Sequence, residues 1–135
     1  MKKTIKLSYF SDVLCFWAYA AQISLDELKM KFGEEIKIDY HFISVFGNTE
    51  HRIGKGWQDR GGYKGFSKHI IKAARTFPHV YVNPDIWKLS LPKTSASSHC
   101  FLKAIQLLEQ NDLISSSIGT VDGKSSFEEC LWRVG

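Results

Sequence analysis

The chain's 135 residues, 44% of them hydrophobic and 13% aromatic, are enough for one well-filled core, so a single domain is expected. The net charge of +4 comes from lysines and arginines scattered along the chain, with no basic block, which argues against nucleic acid as a partner. No run nears the ~20 apolar residues of a membrane-spanning helix. The N-terminal MKKTIKLSYFSD alternates polar and apolar residues where a signal peptide would be continuously apolar, so no membrane partner and a cytoplasmic location are expected.

Ile5 to Phe10 alternates, with Ile5, Leu7 and Tyr9 on one side and Lys6, Ser8 and Phe10 on the other, which predicts a short strand ended by Ser11-Asp12. From Cys15 to Phe32 the apolar positions Phe16, Tyr19, Ala20, Ile23, Leu25, Leu28 and Phe32 recur at helical spacing, and Gly33 closes the helix. Glu35 to Val45 alternates again as a second strand. A helix between two strands predicts a parallel βαβ unit over residues 1–45, with ligands expected at the C-terminal end of the first strand. Cys15 has that address.

Beyond it, residues 46–135 read as a loop and a helical insertion. The stretch FGNTEHRIGKGWQDRGGYKG, rich in glycine and charge, predicts a long mobile loop. Tyr63 to Thr76 predicts a helix with Phe66, Ile70, Ile71 and Ala74 inward and Lys64, Lys68, Lys72 and Arg75 toward water. Pro78 and Pro84 argue against a long regular element in FPHVYVNPDIW. A third helix is expected after Pro92, capped by Thr94 or Ser95 and carrying Phe101, Leu102, Ala104, Ile105, Leu107 and Leu108. Ser125 with Glu128 has capping-box spacing and predicts a fourth. Two strands alone seldom make a stable sheet, so further strands are expected from a C-terminal portion absent here or from another chain.

Three cysteines, Cys15, Cys100 and Cys130, are too few and odd in number for a disulfide framework and should be thiols. At a helix N-terminus the unsatisfied N–H groups and the helix dipole favour a thiolate, which makes Cys15 the candidate nucleophile. The plain alternative is a small apolar residue at a strand-to-helix junction. A C-x-x-C pair would resolve a mixed disulfide internally, but Ala18 stands where the second thiol would be. Cys100 and Cys130 are expected to pack in the core, and His99 to be structural. His41, His51, His69 and His79 show no metal-ligand spacing, GKGWQDRGG has neither dinucleotide nor P-loop spacing, and no G-x-S-x-G is present.

The stretch YFSDVLCFWAYAAQ resembles the active-site segment of the DsbA-like thioredoxin-fold family, in particular its branch of FrnE-type oxidoreductases, hydroxychromene-carboxylate isomerases and kappa-class glutathione transferases. There a strand ends in Asp, as at Asp12, and a C-P-W-C or S-P-x-S motif opens the helix, matched by Cys15, Phe16, Trp17 and Ala18. EIKIDYHFISV, LPKTSASSHCFLKAIQLLE and SSFEECLWRVG are similar to later segments of the family in the same order. The resemblance implies an α/β protein, a thioredoxin-like βαβ unit with a helical insertion, here without the family's C-terminal ββα portion. It implies a catalytic Cys15 and a substrate-binding surface at Asp12, Phe16, Trp17 and Ala18, with Asp12 also holding the turn. Disulfides or glutathione conjugates would be the substrates, with glutathione a co-substrate rather than a bound cofactor, no metal, and a homodimer left open. Phe16 in place of proline and Ala18 in place of the second cysteine make this a one-thiol version of the motif. The other reading, from a different class, is an inactive thioredoxin-fold protein that binds a partner through the aromatic mouth around Trp17.

Overall fold

The computed structural model describes residues 3–114 and 125–134. Strand β1 (Ile5–Ser11) and strand β2 (Ile36–Phe42) pair in parallel, Ile5 opposite Ile36 through to Ser11 opposite Phe42. Helix α1 (Phe16–Phe32) joins them through a single 3₁₀ turn, Gly33–Glu35. The alternation in the sequence thus becomes a βαβ unit, and the molecule is mixed α/β. Gly33 ends α1 with φ 51°, a left-handed backbone that a Cβ would strain, and its N–H donates to the Lys29 carbonyl.

Period two decides which side of the sheet is covered. Leu7, Tyr9, Ile38, Tyr40 and Phe42 pack into one core, while Lys6, Ser8 and Lys37 on the other face are exposed. The covering layer consists of Leu25 from α1 and two later helices, α3 (Ala96–Gln110) and α4 (Ser126–Val134), which contribute Leu102, Phe127 and Leu131. The predicted capping box forms by half: the Glu128 N–H donates to Ser125 Oγ at 3.2 Å, but the Glu128 carboxylate turns away to pair with Lys29 on α1.

Helix α3 follows Pro92 as expected. It buries His99, Leu102 and Gln106, spaced i, i+3, i+7, and leaves Phe101 and Leu107 half exposed at 51% and 50%. Two polar side chains displace apolar ones because each finds a partner inside. Gln106 Nε2 donates to the Tyr40 carbonyl at 3.3 Å, and His99 serves the β1–α1 turn described below. Cys100, one residue off that face, is exposed rather than in the core, whereas Cys130 packs against the Leu102 cluster as expected.

The larger correction concerns the glycine-rich stretch, expected as a mobile loop. It forms a six-residue π-helical turn, Glu50–Lys55, then a 3₁₀ turn, Gln58–Arg60, then helix α2 (Gly62–Ala74). Two of its glycines are places of close approach. A Cβ on Gly65 would lie 1.8 Å from the Arg60 carbonyl oxygen, and one on Gly56 would lie 2.3 Å from that of Arg52. Aromatic packing holds the turns down: Trp57 meets Phe66 edge-on at 5.0 Å and carries the Arg60 guanidinium over its face at 3.9 Å. Ile53 is fully buried there. On α2, Phe66 and Ile70 are buried while Lys64, Lys68, Lys72 and Arg75 face solvent, as the periodicity predicts.

Residues 77–92 contain no helix or strand, only turns and an isolated bridge between Ile86 and Ser90, in keeping with their prolines. They are nonetheless anchored. Trp87 is buried within an aromatic group of Phe46, Tyr63 and Phe66, with φ 62°, a backbone conformation unusual for a bulky residue. His79 Nε2 lies 3.1 Å from the Ala20 carbonyl and ties the segment to α1. Among the described residues no helix is long and apolar enough to cross a membrane.

Candidate functional site

Cys15 is the N-cap of α1. Its backbone is extended (φ −79°, ψ 113°), its N–H donates to the Asp12 carbonyl at 2.9 Å, and its own carbonyl accepts the first helical bond, from Tyr19 N–H at 3.1 Å. The half-buried thiol therefore sits at the end of β1 and the positive end of α1. It opens onto a cleft of about 290 Å³. Val13, Leu14, Phe16, Ile70 and residues Tyr81, Val82, Asn83, Ile86 and Trp87 line that cleft, and among the described residues no charged side chain does.

Of the residues proposed beside Cys15, Phe16 lines the cleft and is also buried in the aromatic core. Trp17 is 54% exposed, edge-on to Phe16 at 5.1 Å and to Phe77 at 6.0 Å, and lies outside the cleft lining. Ala18 borders a separate hollow of about 20 Å³, room for about one water, with Gln22 and Leu131. Tyr19, which the helical pattern treats as core, borders both spaces.

Asp12 is the hub of the turn. It is 1% exposed and its carboxylate is fully engaged: Oδ1 accepts from Leu14 N–H at 2.9 Å, and Oδ2 accepts from Phe46 N–H and Ser95 Oγ–H, both at 2.8 Å. The Ser95 N–H in turn donates to the Phe46 carbonyl at 3.1 Å, so the β1–α1 turn, the chain after β2 and the start of α3 close one ring of bonds. With those partners the carboxylate holds the turn and is closed to a ligand. Ser95 sits at the N-cap of α3, but its hydroxyl is spent on Asp12; Thr94 Oγ1 accepts the Ala96 N–H instead.

His99 completes the arrangement from the first turn of α3. Val13 N–H donates to its Nε2 at 3.1 Å, the ring stacks on Phe42 at 4.9 Å, and the same Nε2 lies 3.4 Å from Asp12 Oδ1. On the strand side of Cys15, the Tyr9 phenol is pushed above its ordinary value, first by burial and then by its electrostatic interaction with Cys15.

Cleft residues 81–87 escape sequence reasoning because nothing periodic marks them. The density of aromatic and β-branched residues between Pro78 and Pro92 is the one available signal. Among the described residues no group of three or more His, Cys, Asp or Glu side chains could hold a metal ion. No family model, no curated protein and no solved structure matches the chain.

Proposed function

We propose that this is a DsbA-like protein of thioredoxin type that acts through a single thiol, Cys15, on disulfides. The observation that carries the reading is the half-buried Cys15 at the N-cap of α1, opening onto an apolar cleft at the C-terminal end of a parallel strand. The Cys15 thiolate attacks one sulfur of a substrate disulfide; that S–S bond breaks, a substrate thiolate leaves, and a mixed disulfide remains on Cys15. With alanine at position 18, release requires a second thiolate from solution, which attacks the mixed disulfide and restores Cys15. Glutathione can serve as that resolving thiol. As a ligand held in the cleft it fits less well, since its two carboxylates would meet no cation among the described lining residues.

Incubation with oxidised glutathione followed by mass spectrometry tests the proposal. Cys15 should form a mixed disulfide faster than the exposed Cys100, and added reduced glutathione should release it. A Cys15 that stays unmodified while Cys100 reacts overturns the reading. The second reading, an inactive fold that binds a partner through surface aromatics, draws on the exposure of Trp17. It predicts that Cys15→Ser leaves partner capture intact while Trp17→Ala abolishes it.

A further inference from the structure

The atom His99 Nε2 stands between a donor and an acceptor that it cannot serve together. Val13 N–H, 3.1 Å away, needs a lone pair on Nε2, which the ring offers only when neutral with its proton on Nδ1. Asp12 Oδ1, 3.4 Å away, accepts from Nε2 only when that nitrogen carries a proton. Both demands come from one short turn, the residues that lead from β1 into Cys15, although Val13 and His99 are 86 positions apart in the chain. The imidazole is buried at 8% exposure, so water does not readily replace a lost partner.

We propose that His99 is a positioning residue for Cys15, and that its protonation state switches the turn between two hydrogen-bond arrangements. Neutral His99 holds Val13 N–H and fixes the backbone two residues before the thiol. Protonated His99 turns Nε2–H to Asp12 Oδ1, forms an ion pair, and releases Val13 N–H. The groups around the ring make Asp12 the decisive neighbour. From β2 it meets the uncharged Phe42. On its own helix, the Ser95 hydroxyl is given to Asp12 and the Lys103 ammonium to Gln106. From α4, Phe127 packs against Phe42, and the Glu128 carboxylate is paired with Lys29. The consequence for Cys15 rests on the thiol reading above; the switch in the turn does not.

Backbone NMR of the full chain separates the two. The Val13 amide resonance should move with pH in step with the His99 ring signals, and in His99→Gln, whose Oε1 reaches the position of Nε2 without titrating, that step should vanish while the amide stays protected. His99→Asn, whose side chain reaches only as far as Nδ1, should leave Val13 N–H without a partner. Its exchange should quicken by about fivefold, as expected for the net loss of one ordinary hydrogen bond, and Cys15 alkylation should change with it. A Val13 amide indifferent to the ionisation of His99, or Gln and Asn variants that behave alike, overturns the inference, and the wild-type titration decides it even where a variant fails to fold. A Val13 amide that follows His99 beside a Cys15 of ordinary reactivity leaves the switch standing and removes the thiol chemistry instead.

Discussion

Cys15 lies between two walls built by different physics. The inner wall, around Asp12, Ser95 and His99, is a closed set of directional bonds between buried polar groups. The outer wall, around Phe66, Tyr63, Trp87 and the ring of Phe46, is aromatic packing, and the Phe46 backbone joins it to the inner wall. Hydrogen bonds fix atoms to tenths of an ångström and fail when one member is lost, whereas ring packing tolerates rotation and fails in proportion to the volume removed. The thiol thus takes its position from the rigid wall and its apolar surroundings from the adaptable one.

The most severe way to break that contrast is Asp12→Ala. It leaves the N–H groups of Leu14 and Phe46 and the Ser95 hydroxyl buried without an acceptor, at an expected cost of about 3–5 kcal/mol. Urea denaturation should show the loss, and a variant within about 1 kcal/mol of wild type would mean that the ring of bonds is not cooperative. Trp87→Ala should cost about 3 kcal/mol, less than excision of a large aromatic can, because alanine bears the left-handed φ of 62° with less strain than tryptophan. Here the cleft should widen and Cys15 alkylation by bulky reagents should quicken, whereas Asp12→Ala should alter reactivity toward reagents of every size.

The smallest expected effect sharpens the comparison at the sheet. Burial is the chief cause that raises the Tyr40 phenol far above its ordinary value near 10; the nearby carboxylates of Glu128 and Asp26 add to it, against a lowering bond from Gln22. The folded state therefore keeps the proton that the unfolded chain gives up. The stabilisation is complete below about pH 10 and is lost progressively as pH rises above it toward the folded value. Tyr40→Phe, which removes the titrating group, should flatten the alkaline limb of the stability profile and leave the neutral plateau nearly unchanged.

What the residues reveal in advance follows the range of the interaction. Strand β1 and α1 lie within one residue of where alternation and helical spacing put them, and β2 ends at Phe42, three residues before the expected Val45, because burial of one face is written locally in periods of two and 3.6. Gly33, Ser125 and the outward lysines of α2 are local signals of the same kind. The glycines from Gly56 to Gly65 mislead, since flexibility and close approach use the same residue and only the carbonyl oxygens of Arg52 and Arg60 decide between them. Cys15 is legible from its junction. The inner wall is not, because Asp12 meets Ser95 across 83 positions and no pattern in either neighbourhood announces the other. His99 and Gln106 look like polar interruptions of an apolar helix until their partners on the turn and on β2 are seen.

The contrast between Trp17, 54% exposed, and Trp87, 4% exposed, also gives the protein an optical signature. An indole in water emits to the red of one enclosed by rings. Trp17 lies two positions from the thiol on the solvent side, while Trp87 lines the cleft from within. Beside the half-buried Trp57 and Trp132, Trp17 should therefore contribute a red component that dissolved quenchers reach and Trp87 a blue one that they reach least. An occupant of the cleft would alter the blue component first, so ligands could be screened without a label on Cys15.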